Sequence, residues 1–442
     1  MDTRAYFAGK KITVLGLGLL GRGVGDAKFL AEQGAELIIT DLKSETELAD
    51  SLAQLSAFPS ITYRLGGHDV EDFKGRDFIL KAAGVPDPSP FLDAARAEGT
   101  PIKMSASWFA ELAGVICVGV TGTRGKSTTT HLIHHILETA GHSPLLGGNV
   151  RGVSTLALLA EAKSEHVAVL ELDSWQCQGW GEAKMSPHVA VFTTFYPDHL
   201  NYYKGDLDRY LADKANIFLH QEPQDTLIVG AQCSELIEEK YKDRIQAYEI
   251  VVGAHDLRAD WEFPLPGEHN RYDAALAVEA ARALLVDDAD IEKALATFAG
   301  VPGRLEFIRE VNGIRVYNDT TSTTPDATIA ALSALDPEGK KNIVIIMGGA
   351  DKDLDMSALL PELTAHAKRV IMLAGTGTSR IAHQIPDVSV YDSLPSAVDE
   401  AMRSALSGDT VVLSPAFASF GMFKNEYDRG DQFNALIQAY AA

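Results

Sequence analysis

Short apolar runs, separated by polar stretches with helical spacing, recur along the whole of this chain. The runs KITVLG, AELIIT ending at Asp41, EHVAVLEL, HVAVFTTF, GIRVY, NIVIIMGG, RVIMLAG and DTVVLSP are rich in Val, Ile and Leu and are nearly continuous in their apolar character. Such runs predict strands covered on both faces, as in a parallel sheet with helices on each side. Between them, stretches such as DRYLADKANIF and LPGEHNRYDAALAVEAARALL carry the spacing of helices. The alternation starts afresh near residues 104 and 300, which predicts segments 1–104, 105–300 and 301–442. A length of 442 residues suits about three ordinary domains.

Two glycine-rich turns give these segments a chemistry. The apolar run ending in Val118-Gly119-Val120-Thr121 leads into Gly122-Thr123-Arg124-Gly125-Lys126-Ser127-Thr128-Thr129, followed by a helical stretch. Glycines at 122 and 125 allow backbone N–H groups to turn in around phosphate oxygens, Lys126 adds a point charge, and the Ser127 hydroxyl can ligate Mg²⁺. The start of the helix faces the same anion. The loop is the shorter G-x-x-G-K-S variety, because Val120 stands where the longer pattern has glycine. In the first segment, Gly16-Leu17-Gly18-Leu19-Leu20-Gly21 follows a strand, with Asp41 about 20 positions further on. That fingerprint predicts a unit that binds a pyrophosphate and leaves open which nucleotide carries it. The fold class that follows is α/β with three domains: a Rossmann-like N-terminal domain, a central P-loop ATPase-like domain and a Rossmann-like C-terminal domain.

Charge narrows the partners. A formal net charge of −22 argues against nonspecific nucleic-acid or anionic-membrane binding, so an anionic ligand needs a local cluster of cations and amides. No apolar run nears the ~20 residues that span a bilayer, and the first residues lack a signal-peptide pattern. A cytoplasmic protein without membrane insertion is expected, taken as a monomer. Cys117, Cys177 and Cys233 have neither a metal-ligand spacing nor an even count, so reduced, structural cysteines are expected.

Other candidates are ordinary when taken singly. Glu171 closes the run VAVLE, His199 sits in the loop YPDHLN, and Lys214 lies in DRYLADKANIF. A strand-end Glu is often a solvated cap, a lone His is more often structural than a ligand, and a helical Lys is usually a surface charge. Beside a phosphate loop they gain meaning, because magnesium needs hard oxygen ligands and phosphate partners. Asn318-Asp319, Lys352 and Ser419 each follow an apolar run, where turn and cap chemistry competes with a place in a cleft.

The motifs GLGLLG, VTGTRGKSTTT, GGNVRG, ELDSWQ, PDHLNYY, LPGEHN, VPGRLEF, VYNDTTSTTPDAT and LSPAFASFGMFKNEYDRGDQF occur in this order. They resemble those of the Mur ligases of peptidoglycan synthesis along nearly the whole chain, and among these the members that add glutamate. The resemblance implies an ATP-dependent amide ligase that adds D-glutamate to UDP-N-acetylmuramoyl-L-alanine through an acyl phosphate. The product feeds the cell wall and hence cell shape and division. ATP and Mg²⁺ are the implied cofactors, with ATP between the central and C-terminal domains and domain closure before reaction.

The same resemblance assigns Gly122, Thr123, Gly125, Lys126, Ser127 and Thr128 to the ATP phosphates. It places Asn270 near the adenine, Arg304 toward the phosphates and Asp319 on the ribose side. Gly16, Leu17, Gly18, Leu19 and Asp41 would face the UDP portion of the substrate, and Asn149 and Gln176 its muramoyl-alanine part. Thr323, Lys352, Ser419 and Phe420 would line the glutamate pocket. Ser127, Glu171, His199 and a carbamylated Lys214 would serve magnesium, and Lys126, His199 and Lys214 would carry the catalytic work.

Several residues depart from the family's usual pattern. Asp173 replaces a serine, Thr194 and Asp273 replace asparagines, Thr321 replaces a lysine, Glu426 an aromatic residue and Phe420 a smaller aliphatic one. Losing a cation and gaining an anion should reshape how a dicarboxylate is held. The Thr-rich segment Thr320–Thr324 resembles a subgroup that adds L-glutamate, so D-glutamate is the expected substrate and L-glutamate the alternative. Outside this reading stand a folylpolyglutamate synthetase, which fits the GLGLLG segment poorly, and an NAD-dependent oxidoreductase, which leaves Lys126 and Ser127 unused.

Overall fold

A computed structural model of the chain describes residues 2–19 and 21–440. The strands form three sheets, one within each segment of the sequence pattern. The first contains β1 (Lys11–Leu15), β2 (Glu36–Asp41), β3 (Thr62–Leu65), β4 (Phe78–Lys81) and β5 (Ile102–Lys103), in the order β3-β2-β1-β4-β5. The second contains β6 (Ile116–Thr121), β7 (Pro144–Gly148), β8 (Val167–Glu171), β9 (Val189–Phe192), β10 (Thr226–Gly230) and β11 (Tyr248–Val252), in the order β11-β10-β9-β6-β8-β7. Every pairing in both is parallel. β8 and β9 are buried at every position, as their unbroken apolar runs require.

The third sheet contains β12 (Glu306–Val311), β13 (Ile314–Asn318), β14 (Ile343–Met347), β15 (Ala367–Leu373), β16 (Ser389–Tyr391) and β17 (Thr410–Leu413), in the order β12-β13-β17-β14-β15-β16. It differs from the all-parallel pattern at one edge, where β12 and β13 pair antiparallel. Asn312 and Gly313, at φ 52 and 78, make the two-residue turn between them, and Asn-Gly is the dipeptide that favours positive φ at both turn positions.

By its contacts the chain divides into two compact units, Met1–Trp261 with Tyr272–Leu295, and Glu262–Arg271 with Ala296–Ala442. The first and second sheets share the first unit. There, Asp26 of the helix Arg22–Glu32 accepts hydrogen bonds from Ser105 (2.8 Å) and Ser154 (2.6 Å). A Cβ on Gly25 would lie 2.6 Å from Ser154 Cβ, so this helix face packs too closely for a larger residue. Burial raises the Asp26 pKa to about 6.

Two elements are shorter than the sequence pattern predicts. The run HVAVFTTF ends as a strand at Phe192, because Thr193 and Thr194 turn to brace the phosphate loop. The helix through DRYLADKANIF ends at Ala215, one residue past Lys214. The three cysteines are free and buried, and burial pushes each thiol up to about 12. Among the described residues no helix is long and apolar enough to cross a membrane.

Candidate functional site

β6 delivers the chain to the phosphate loop at its carboxyl end. Gly122 and Gly125 have φ of 143 and 87. A Cβ on Gly122 would lie 2.0 Å from Thr193 Oγ1, and one on Gly125 would lie 2.3 Å from Asp273 Oδ1. The loop is therefore glycine-dependent for both conformation and space. Thr194 supports it, its carbonyl accepting the Thr123 N–H at 2.7 Å and its hydroxyl the Arg124 N–H at 2.9 Å. The helix Lys126–Thr139 begins directly after Gly125, which aims its positive end at the loop. Lys126 Nζ donates to the carbonyls of Gly122 and Thr123, both at 3.1 Å, and Ser127 and Thr128 are buried in the first turn.

Lys214 is 1% exposed. Its Nζ donates to the Gly122 carbonyl at 2.7 Å and stands 4.9 Å from the centre of the Tyr210 ring. Burial, and next the Lys126 charge, lowers its pKa to about 7, so a neutral amine is accessible near neutral pH. His199 has a left-handed backbone, φ 51, and its ring lies 4.6 Å from Trp175 and 6.0 Å from Tyr210. Burial lowers its pKa, which favours the neutral imidazole that can ligate a metal. Tyr210 also reaches Thr123, hydroxyl to hydroxyl, at 3.3 Å. One aromatic side chain thus touches the phosphate loop, Lys214 and His199.

Glu171, the last residue of β8, is buried, and its Oε1 accepts from Asn149 Nδ2 at 3.1 Å. Lys126 and Lys214 therefore converge on Gly122, His199 shares Tyr210 with Lys214, and Glu171 is tied to Asn149. Among the described residues, no three His, Cys, Asp or Glu side chains converge on a metal position. A serine hydroxyl, a carboxylate and an imidazole would be a partial set of donors, which fits magnesium's habit of keeping phosphate and water ligands.

A cleft of about 400 Å³ lies in the same unit, lined by Gly16 to Leu19 and Asp41 from the first sheet and by Gly148 and Gln176 from the second. Asp41 Oδ2 accepts the N–H groups of Leu17 (2.9 Å) and Gly18 (3.0 Å). Two amides that the fingerprint would offer to a pyrophosphate are thus already engaged. Gln176 sits at the third position of the helix Ser174–Ala183 and forms a reciprocal cap with Asp173, at 2.8 and 3.1 Å. Asn149 accepts a close hydrogen bond from Arg22 of the helix Arg22–Glu32.

In the second unit Asp319 is buried, accepting from the Leu305 N–H (3.1 Å) and Ser414 Oγ (2.7 Å), and burial raises its pKa to about 6. Arg304 is exposed, and Asn270 Nδ2 donates to the Pro266 carbonyl at 2.7 Å. Lys352 Nζ donates to Thr323 Oγ1 at 2.8 Å, Ser419 is buried and Phe420 is exposed. The Thr321 hydroxyl donates to the Gly303 carbonyl at 2.9 Å. Arg429, fully buried, grips Thr320 through its hydroxyl and carbonyl and reaches the Phe417 carbonyl.

Family models match in three stretches: a Mur ligase MurD-like N-terminal domain over residues 10–103, the Mur ligase middle domain over 120–281 and the Mur ligase glutamate ligase domain over 303–417. A protein of Roseiflexus sp. (strain RS-1) named UDP-N-acetylmuramoylalanine--D-glutamate ligase is 36% identical, covering 98% of this chain and 99% of that one. The chain belongs to the Mur ligase family. A second relative of the same name, from Borreliella burgdorferi (strain ATCC 35210 / DSM 4680 / CIP 102532 / B31), is 34% identical over 96% of each chain. The crystal structure of the UDP-N-acetylmuramate-alanine ligase MurC from Thermotoga maritima shares the fold, with a TM-score of 0.63 at 20% identity, covering 97% of this chain and 99% of that one. Two structures of folylpolyglutamate synthase from Mycobacterium tuberculosis match at TM-scores of 0.58 and 0.59 and 16% identity, covering 74% and 75% of this chain and 94% and 93% of those chains, which speaks to fold alone.

Within a Mur ligase, several departures have local explanations. Thr194 braces the phosphate loop with both its carbonyl and its hydroxyl, Asp173 caps a helix, and Asp273 stands against Gly125. Thr321 is spent on Gly303. The sequence pattern did not single out Arg22, Lys81, Tyr210 or Arg429. For Lys81 there was a signal, a lysine closing the apolar run FILK; for the others the contacts are tertiary.

Proposed function

We propose that this Mur ligase joins D-glutamate to UDP-N-acetylmuramoyl-L-alanine at the expense of ATP, in the cytoplasmic synthesis of the peptidoglycan precursor. The observation that carries this reading is the full-length likeness to relatives bearing that name. The alanyl carboxylate attacks the γ-phosphorus, the bond to the β–γ bridging oxygen breaks, and ADP leaves an acyl phosphate. Both reactants are anions. Lys126 and the N–H groups opening the helix Lys126–Thr139 offset their repulsion. The glutamate amine then attacks the activated carbonyl carbon, loses a proton and displaces phosphate, leaving the amide.

A magnesium ion held by Ser127, Glu171, His199 and a carbamylated Lys214 would supply Lewis-acid neutralisation of the phosphate charge. Carbamylation joins the neutral Lys214 amine to CO₂ with release of one proton, and the pKa near 7 supports it. We assign Gly122, Thr123, Gly125 and Thr128 to the ATP phosphates, and Asn270, Arg304 and Asp319 to adenine, phosphate and ribose. Asp319 would act through the backbone it holds, since its carboxylate is internal. Gly16 to Leu19 and Asp41 are assigned to UDP, and Asn149 and Gln176 to the muramoyl-alanine; the cleft lined by residues of both sheets supports this. Thr323, Lys352, Ser419 and Phe420 are assigned to glutamate, Lys352 facing one of its carboxylates.

Lys126→Ala tests the site. Phosphate release that depends on both UDP-N-acetylmuramoyl-L-alanine and glutamate is expected to fall by at least ~100-fold while the melting temperature holds. Near-normal release from the variant contradicts the assignment.

A further inference from the structure

Lys81 closes β4 and pairs in register with Leu15, which closes β1. From β1 the sheet grows to β2 and β3 on one side and to β4 and β5 on the other. Leu15 and Lys81 therefore mark the topological switch point, at the carboxyl edge where open parallel sheets take their ligands. Lys81 is 2% exposed and lines the 400 Å³ cleft. Its Nζ makes one hydrogen bond, to the Val85 carbonyl at 3.1 Å. The carboxylates that act on it from a distance are Asp87, Glu182 and Asp173; the first two are paired with Arg96, and Asp173 caps the helix Ser174–Ala183. A buried ammonium whose close partner is neutral is costly unless an anion joins it.

The neighbouring loop sharpens what that anion is. In a dinucleotide-binding fold the fingerprint amides hold the pyrophosphate, but here Asp41 has taken those of Leu17 and Gly18. With those two withdrawn, the diphosphate calls for further donors beside the amides at the start of the helix Arg22–Glu32. Arg22, in the first turn of the helix Arg22–Glu32, lines the same cleft, and its hydrogen-bond partner is again neutral, Asn149 Oδ1. Lys43 also lines the cleft, in the loop after Asp41. In a chain of net charge −22 such local cations are what an anionic substrate requires.

We propose that Lys81 and Arg22 hold the diphosphate of the UDP-linked substrate in place of the Leu17 and Gly18 amides. The inference rests on the substrate named above. Arg22 has a second task, because Asn149 donates in turn to Glu171. Substrate held by Arg22 is thereby held in register with the carboxylate assigned to magnesium.

Calorimetric titration of the full-length enzyme with UDP and with uridine, on the wild type, Lys81→Met and Arg22→Gln, tests this. Each variant is expected to lose about 10- to 100-fold in UDP affinity while uridine binding holds, the effect of removing one charged hydrogen bond. The KM for UDP-N-acetylmuramoyl-L-alanine should rise in parallel and the KM for ATP should not. Unchanged UDP affinity in both variants, or equal losses for UDP and uridine, overturns the proposal. If Lys81→Met fails to give a cooperative melt, Arg22→Gln, whose side chain is only partly buried, carries the test. A wild type that ligates while both variants bind UDP normally sinks this inference alone. A wild type that neither binds UDP nor ligates sinks the reading of the first domain, and this inference with it.

Discussion

The Lys214 ammonium is 1% exposed, with the Gly122 carbonyl at 2.7 Å, and burial lowers its pKa to about 7 from the ordinary 10.5. Between those two pH values the folded chain binds fewer protons than the unfolded one. Stability therefore rises with pH across that window, and the burial penalty is present in full below pH 7. Lys214→Met removes the penalty. In CO₂-depleted buffer, the melting temperature of the variant relative to wild type should be highest at pH 7 and decline toward pH 10; a difference that does not move with pH contradicts the burial argument. None of this was legible in DRYLADKANIF, where a helical lysine looks like a surface charge. Glu171 and His199 were likewise ordinary residues until a phosphate loop stood nearby. Lys81 and Arg22 escaped notice because the fact that matters, a cation lining a cleft with a neutral hydrogen-bond partner, exists only after folding.

The strand–loop–helix of β6, residues 122–125 and Lys126–Thr139 was the most readable element, because its determinants are contiguous: two glycines, a lysine and a serine in fixed order. What the motif could not show is how the loop is braced. Thr193 and Thr194 leave β9 to support it, and Asp273, far away in sequence, stands against Gly125. Gly125→Ala puts a Cβ into the left-handed region at φ 87 and 2.3 Å from the Asp273 carboxylate. A destabilisation of about 1–3 kcal/mol is expected, with loss of the thermal shift that ADP gives the wild type. An unaltered ADP shift contradicts the loop's assignment. Other elements were less legible for a physical reason. β3, β5 and β16 are short edge or near-edge strands whose apolar content is too small to announce them, and β12 announces itself mainly through the Asn312-Gly313 turn.

At the scale of the molecule, the repeated apolar runs gave away three α/β domains, because strands buried on both faces cannot hide their composition. The segments 1–104, 105–300 and 301–442 stand as our functional division of the chain. By contact, the first and second sheets belong to one unit, joined through Asp26, Ser105 and Ser154, and no periodicity in the sequence foretold that union. Glutamate handedness belongs to this scale too, because the pocket we assign to glutamate draws on distant stretches around Thr323, Lys352 and Ser419. Here Thr321, in the place of a lysine, is turned to Gly303. Steady-state phosphate release with ATP, UDP-N-acetylmuramoyl-L-alanine and each enantiomer of glutamate tests the central assignment most directly. Release is expected to require all three substrates and to run faster with D-glutamate. Release without the UDP-linked substrate, or faster release with L-glutamate, contradicts it.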